Sequence, residues 1–309
     1  MIDQIFIVGL LASALRFAAP LMFAALGETV AQRAGVLNVG LEGIMLVGAF
    51  LAALGAWWTG SPWGGLVLAM LGGAAMAALH AFLSITLRAD QIISGIAMIV
   101  LGLGISGYGF RLTLGAMSPP PTIPSFAPLT LWGLAELPVI GKVLFGQHLL
   151  LYLVLASAVA LHVLIYRTRW GLDIRAVGES PAASDATGLS VQLTRYWSVI
   201  FGGVMAAMGG AYLSTAQLSG FVENMVSGRG FIAIACVVFG RWSPLGAMAA
   251  ALFFGAAEAA QIRLQALNPD IPFQFFVMMP YLLAVIVLIF LARRSRMPAA
   301  LGVPFIPPR

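Results

Sequence analysis

Long apolar runs, separated by short polar segments, limit most strongly how this chain can fold. A helix needs about 20 mostly apolar residues to cross the hydrocarbon core of a bilayer, and most of the runs have about that length. The sequence therefore predicts an all-α, polytopic transmembrane helix bundle with about nine spans. The predicted spans are Ile5–Leu26, Leu37–Trp57, Trp63–Leu87, Gln91–Leu112, Gln147–Tyr166, Tyr196–Ala216, Gly230–Gly240, Leu245–Ile262 and Phe275–Ala292.

Composition excludes a water-soluble fold. The 309 residues are 61% hydrophobic and only 9% charged, whereas a soluble domain carries about 25% charged residues. So few charges could not cover a surface that faces water. No polar linker divides residues 1–309, so we predict a single domain surrounded by membrane lipid. Cys236 is the only cysteine, which excludes intrachain disulfides and thiolate metal sites.

Basic residues orient the predicted spans. With nine crossings, an extracytoplasmic N-terminus and a cytoplasmic C-terminus place most of the basic residues inside, as the positive-inside rule requires. This asymmetry explains the net charge of +5 better than a nucleic-acid partner does, and we expect no such partner. The inside residues are Arg33, Arg88, Arg167, Arg169, Arg175, Arg195, Arg241, Arg293, Arg294, Arg296 and Arg309. The outside residues are Arg111, Lys142, Arg229 and Arg263.

Three polar segments and one short span complete the organisation. Residues 113–146 form a proline-rich outside loop, residues 167–195 form a cytoplasmic loop, and residues 293–309 form a cytoplasmic tail. The run Gly230–Gly240 is too short to cross unless its polar flanks are drawn in. A half-helix buried among its neighbours is the alternative.

A short helix is predicted within the cytoplasmic loop. Ser180 is a favourable N-cap, Pro181 suits the first helical position, and Gly188 can end the helix in the left-handed conformation. Asp185 lies inside this segment of about two turns. Because so short a helix is marginal in water, it needs a docking partner, unless it merely shortens the loop.

Ionisable residues inside the spans are the first candidates for function. Arg16 and Glu258 lie near the middles of their spans, where a charge costs at least about 2.5 kcal/mol. Each should face protein or a water-filled cavity, either along a translocation path or in a structural pair. His80 and His162 have no second ligand at helical spacing, so we interpret them as structural and expect no metal or cofactor.

A second group of candidates lies at the beginnings of two predicted spans. The segment Gly35–Gly43 is polar and glycine-rich, and Asn38 and Glu42 lie four residues apart on one helix face. Gln91 and Ser94 open the fourth span in a similar way. These four side chains are predicted to line a substrate path; the alternative is a packing motif at the helix end.

Several motifs resemble the permease subunits of bacterial ATP-binding-cassette (ABC) importers, in the branch that includes branched-chain amino acid, ribose and nucleoside permeases. The stretches LNVGLEGIML (37–46) and GRGFIAIACVVFGRWSPLGA (228–247) are most similar to the smaller permease of nucleoside (simple sugar-like) importers. The runs 15–21, 34–45 and 175–178 fit the same pattern.

The resemblance implies a transport permease of residues 1–309 in the bacterial inner membrane, not an enzyme. It implies three kinds of partner: cytoplasmic ABC ATPase subunits, a second and different permease, and an extracytoplasmic binding protein. The expected substrate is a nucleoside, with a simple sugar such as ribose as the alternative. The resemblance also assigns ATPase coupling to the short cytoplasmic helix. The residues concerned are Arg175, Gly178, Ser180, Pro181, Ala182, Ala183, Asp185 and Gly188.

Two other classes of function fit the sequence less well. An ion-coupled carrier usually buries several carboxylates or a relay of ionisable groups, and this chain offers few. A membrane-embedded hydrolase needs a nucleophile–base or metal pair, and no such motif is present in the sequence. The sequence also lacks the G-x-x-x-x-G-K-[ST] loop, so an ATPase must be a separate chain.

Overall fold

The computed structural model describes residues 2–117, 121–129, 140–267, 272–291 and 297–306. Within these ranges the regular structure is helical, apart from one isolated β-bridge between Pro128 and His148. The helices are α1 (Ile2–Arg33), α2 (Leu41–Thr59), α3 (Pro62–Ala81), α4 (Gln91–Leu112), α5 (Ile140–Leu144), α6 (Leu149–Arg167), α7 (Arg169–Glu179), α8 (Pro181–Ala186), α9 (Val191–Tyr212), α10 (Arg229–Phe239), α11 (Pro244–Leu267) and α12 (Phe273–Leu291).

Seven helical stretches in the described ranges are long and apolar enough to cross a membrane. The protein is therefore a multi-pass membrane protein, while the count of about nine spans and their orientation stay predictions. Helix α12 covers most of the ninth predicted span, Phe275–Ala292. The seven stretches are Phe6–Arg33, Leu41–Thr59, Pro62–Thr86, Gln91–Ala116, Leu149–Arg167, Val191–Gln217 and Pro244–Leu267.

Helix α9 lies at the centre of the bundle and packs against α1, α2 and α3. Glycines permit these close contacts. A Cβ atom added at Gly210 would lie 1.9 Å from the Met45 carbonyl oxygen of α2, and one at Gly203 would lie 2.2 Å from the Cβ of Ala77 of α3. Helix α9 and its neighbour α2 are thus buried over most of their length.

The first helix is longer than its predicted span. The predicted span ends at Leu26, where the apolar run ends, but α1 continues to Arg33. Glu28 and Gln32 in this extension are buried, and hydrogen bonds compensate for the burial. The Gln32 amide donates to Glu28, which also accepts from the Asn38 N–H, and the Gln32 side-chain oxygen accepts from the Trp242 indole N–H. The apolar run therefore marked the end of the hydrophobic stretch and not the end of the helix.

The predicted outside loop is only partly described. Residues 118–120 and 130–139, which include Pro119, Pro120 and Pro138, lie outside the described residues, as do Arg293, Arg294, Arg296 and Arg309 of the predicted tail. In the described part, Ile123 and Phe126 are buried. The Phe126 N–H donates to the Thr215 carbonyl at 2.9 Å, so this part of the loop packs against the end of the α9 stretch.

Helix α10 has 11 residues. At about 1.5 Å per residue it is roughly 16 Å long, about half of the hydrocarbon thickness. It follows an irregular segment, residues 218–228, in which Phe221, Met225 and Val226 are buried. Helix α10 therefore has the length of a half-helix that begins inside the bundle.

Candidate functional site

The N-terminus of α10 is capped by a carboxylate from another helix. Glu42, in the first turn of α2, accepts hydrogen bonds from the Gly228 N–H at 2.7 Å and from the Gly230 N–H at 2.8 Å. A Cβ atom at Gly230 would lie 2.5 Å from the Glu42 nitrogen, so only glycine permits this approach. The carboxylate satisfies backbone donors that would otherwise be unpaired at the helix start.

A small cavity that combines an apolar wall with a few polar side chains lies beside this cap. Arg229, the first residue of α10, forms an ion pair with Glu258 of α11, and the two side chains are 17% and 20% exposed. Gln261 and Ser227 add polar groups, and the cavity has a volume of about 190 Å³. It offers hydrogen-bond donors and acceptors within an apolar wall, as a polar, uncharged solute requires. Its apolar wall includes Leu21, Ile232, Phe254, Val277 and Pro280.

The two intramembrane charges singled out from the sequence do not meet. Glu258 pairs with Arg229, which the sequence placed in an outside segment. Arg16 instead donates from its Nε to the Gln147 side-chain oxygen at 3.0 Å. Each charge therefore has a polar partner, and only Glu258 and its partner line the cavity.

The remaining candidate residues form a buried polar layer around the turn 34–40 that joins α1 to α2. The Asn38 N–H donates to Glu28 at 3.0 Å, and the Asn38 side chain accepts from the Gly40 N–H at 3.0 Å. On the α1 side of the layer, the Trp242 indole N–H donates to the Gln32 side-chain oxygen at 2.7 Å. Glu28, Gln32 and Trp242 were not predicted as site residues, although the i, i+4 spacing of Glu28 and Gln32 was visible in the sequence.

The opposite side of the turn is held by α3 and α4. The Gln91 side-chain oxygen accepts from the Leu37 N–H at 2.7 Å. His80 Nε2 lies 3.2 Å from the Leu37 carbonyl oxygen, and its Nδ1 lies 3.1 Å from the Ser94 hydroxyl. Because a carbonyl only accepts, Nε2 must carry a proton. The structure thus gathers Asn38, Gln91 and Ser94 at one turn, where all three are buried.

The predicted cytoplasmic helix corresponds to α8 with its flanking residues. Pro181 is its first residue, and Gly188 has φ +85°, as expected for a left-handed helix end. Ser180 occupies the N-cap position, but its side chain makes no capping hydrogen bond. Ala182 and Ala183 are exposed and Asp185 is half-buried, so this helix presents a small, accessible surface.

Two further residues of the predicted coupling region anchor the preceding helix, α7. The Arg175 guanidinium lies 5.5 Å from the centre of the Tyr166 ring, which favours a cation–π contact. Gly178 packs on the end of α1, because a Cβ atom there would lie 2.0 Å from the Arg33 carbonyl oxygen. These contacts join α7 to the membrane helices.

Comparison with known proteins identifies the family. Residues 10–292 match the family described as branched-chain amino acid transport system / permease component. The chain is 39% identical over 300 residues, 94% of both chains, to the guanosine ABC transporter permease protein NupQ of Bacillus subtilis. It is 34% identical over 310 residues, 96% of both chains, to the nucleoside ABC transporter permease protein NupC of Lactococcus lactis subsp. cremoris.

A sugar-related protein is also similar. The putative glucose ABC transporter permease protein TsgC13 of Haloferax volcanii is 39% identical over 274 residues, which cover 86% of this chain and 82% of the relative. No solved structure matches the chain. The chain therefore belongs to the branched-chain amino acid transport system permease family, as a transport component of an ABC transporter of the nucleoside or sugar type and not as an enzyme.

Proposed function

We propose that this permease translocates a nucleoside across the bacterial cytoplasmic membrane as part of an ABC importer. The observation that carries the proposal is the 39% identity, over 94% of both chains, to a guanosine permease. The cavity beside α10, at about 190 Å³, is smaller than the roughly 300 Å³ of an ordinary ligand pocket, so passage of a nucleoside requires it to widen. Its Arg229, Glu258 and Gln261 side chains supply the donors and acceptors that ribose hydroxyls and base edges need. The similarity to a putative glucose permease favours a simple sugar as the second candidate.

The proposed route uses both polar features of the site. The Arg229–Glu258 cavity would offer hydrogen bonds at the level where α10 begins. Of the four predicted lining residues, Glu42 would border the route at this same level, and Asn38, Gln91 and Ser94 would border it at the turn 34–40. Their side chains are engaged with backbone groups in the present conformation. Their role in the route therefore implies a second conformation, in which some of these bonds open during transport.

The proposed partners follow from the function. The N-terminus lies outside and the C-terminus inside, so that an extracytoplasmic binding protein delivers the substrate and cytoplasmic ATPase subunits dock at the α8 end. A second permease, of different sequence, completes the path. In this arrangement α8 is the coupling helix, supported by its exposed alanines and by its position beside α7, which is anchored to α1.

Uptake measurements test the substrate. Radiolabelled guanosine, adenosine, ribose, glucose and leucine would be supplied to a strain that lacks this gene and to the same strain with the gene restored. We expect nucleoside uptake to depend on the gene and leucine uptake not to depend on it. Gene-dependent uptake of a sugar alone would establish the second candidate, and unchanged nucleoside uptake would contradict the proposal.

A glycine pair tests the coupling helix. Gly188 and Gly60 both have positive φ and open space around the Cβ position, so a valine imposes similar backbone strain at either position. Gly188→Val should insert normally but lose transport and substrate-stimulated ATP hydrolysis. Gly60→Val, in the turn between α2 and α3, should retain both. Asp185→Arg should also impair coupling. Normal transport by Gly188→Val and Asp185→Arg would exclude the assigned role.

A further inference from the structure

A C-terminal strap, residues 297–306, crosses the α8 end of the bundle and binds both the end of α7 and the turn after α1, which also pack directly on each other at Gly178 and Arg33. The Ala300 N–H donates to the Gly178 carbonyl at 2.9 Å, and the Gly302 N–H donates to the Gly35 carbonyl at 3.2 Å. Gly178 lies near the end of α7, just before α8, and Gly35 lies in the turn between α1 and α2. The strap therefore bridges the base of α8 and this turn.

Side chains reinforce both ends of the bridge. The Ala299 N–H donates to the carboxylate of Glu179, the last residue of α7, at 3.3 Å. Arg195 of α9 is 1% exposed, and it donates to the Ala34 carbonyl at 3.2 Å and to the Val303 carbonyl at 3.0 Å. A buried arginine that binds two segments through their carbonyls holds both in a fixed relation.

The bridged turn also holds the polar layer. Three residues after Gly35, the Asn38 N–H binds Glu28, and the Leu37 N–H binds Gln91. Gly35 has φ +88°, and a Cβ atom there would lie 3.1 Å from the Ala300 carbonyl oxygen. Because the strap packs this closely on the turn, a displacement of the α7–α8 junction cannot leave the turn unaffected while the strap remains bound.

We propose that the C-terminal strap is a positioning element that transmits movement of α8 to the turn 34–40 and thereby to the polar layer. The inference rests on the proposed function, because it assumes that an ATPase moves α8. It goes beyond that function in assigning the transmission to the strap and to Arg195. A segment that only shielded the bundle end would affect stability and assembly, but not the amount of transport obtained per ATP.

The test measures guanosine transport and ATP hydrolysis by the full complex, with its binding protein, in proteoliposomes. One variant ends the chain before Met297. A milder one, Gly302→Ala, strains a left-handed residue of the strap (φ +78°) that has open space around it. Gly60→Ala is the matched control, since Gly60 has φ +67° and the same open space but lies in the α2–α3 turn. All values refer to the amount of assembled complex.

We expect the truncated chain to lose at least about fivefold in transport per ATP hydrolysed, the lower end of typical coupling between two sites. Gly302→Ala should lower the same ratio to a smaller extent, and Gly60→Ala should leave it unchanged. If the truncated chain does not assemble, the ratio measured for Gly302→Ala tests the proposal by itself. An unchanged ratio, or equal loss of transport and hydrolysis, would overturn the proposal. Absence of guanosine transport by the unmodified complex would instead count against the proposed substrate.

Discussion

The side chain of Glu42 and the backbone N–H of Gly230 are separated by 188 positions in the sequence and lie 2.8 Å apart in the structure. Each residue lies where a helix begins, Glu42 in the first turn of α2 and Gly230 in the first turn of α10. One carboxylate thus fixes the start of the short helix α10 relative to a central helix of the bundle. The Arg229–Glu258 cavity lies beside this junction, so the geometry of the cavity depends on Glu42.

Replacing the capping carboxylate should weaken the junction. Glu42→Gln retains the size of the side chain but leaves one oxygen where two accept backbone N–H groups. An unsatisfied buried donor costs about 1–3 kcal/mol, so the unfolding temperature of the purified permease should fall. Glu223→Gln is the control, because Glu223 forms an exposed pair with Arg111 and its replacement should change stability by less than about 1 kcal/mol. Equal stability of the two variants would contradict the capping role.

The two ion pairs of the described structure should differ in energy. A double-mutant cycle with Arg229→Met and Glu258→Gln should give a coupling free energy of about 1–3 kcal/mol, because each single change leaves a poorly hydrated charge without its partner. The same cycle at Arg111 and Glu223, whose side chains are 72% and 42% exposed, should give less than about 1 kcal/mol. Unfolding free energies in mixed micelles would give both coupling energies. A larger coupling energy at the exposed Arg111–Glu223 pair would contradict this prediction.

Close packing between α9 and α2 should make Gly210 intolerant of a methyl group. A Cβ atom at Gly210 would lie 1.9 Å from the Met45 carbonyl oxygen, whereas nothing lies within 4 Å of the Cβ position at Gly104 of α4. Gly210→Ala should therefore cost about 1–3 kcal/mol through overpacking, and Gly104→Ala should stay within about 0.5 kcal/mol of the parent. Thermal unfolding of both variants tests this. If the unfolding temperature of Gly210→Ala equals that of the parent protein, α9 and α2 can move apart to accept the added methyl group.

His148, which immediately precedes α6, should make stability depend on pH. Burial chiefly, and also the charge of Arg16, lower the pKa of His148 below its ordinary value of 6.5, while hydrogen bonds to the Phe126 and Ala127 carbonyls oppose the shift. Between the lowered value and 6.5 the unfolded chain binds more protons than the folded one. The stability contributed by the neutral imidazole is therefore present above pH 6.5. It is lost as the pH falls from 6.5 to the lowered pKa of the folded protein.

Thermal unfolding between about pH 7.5 and pH 5.5 would reveal the effect as a decrease in unfolding temperature on acidification. His148→Gln lacks the titrating group, and its unfolding temperature should decrease less over the same range. Parallel curves for the two proteins would show that His148 does not contribute.

Cysteine labelling tests the predicted orientation. In a Cys236→Ser background, Glu223→Cys and Ala186→Cys place thiols at exposed positions near opposite ends of the bundle. A membrane-impermeant maleimide should label position 223 in intact cells and position 186 only after the cytoplasmic side is opened. Labelling of position 186 in intact cells would reverse the orientation derived from the basic residues.

The sequence alone determined the features that depend on neighbouring residues. Apolar runs of about 20 residues predicted membrane helices, because a bilayer sets that length. Pro181 and Gly188 predicted the bounds of α8, because each restricts its own backbone conformation. The shared chemistry of Asn38, Gln91 and Ser94 identified them as candidates, and the structure places all three at one turn.

Only the tertiary structure decided which distant groups meet. A carboxylate as buried as that of Glu258 needs a partner, but the local sequence did not show whether this partner is Arg229 or Arg16. The packing of α10 against α11 brings Arg229 to Glu258. Similarly, the chemistry of Glu42 allowed it to line a path, whereas the approach of α10, permitted by Gly230, made it a cap. Sequence periodicity reports which face of a helix is apolar, but the relative positions of helices depend on contacts between residues far apart in the chain.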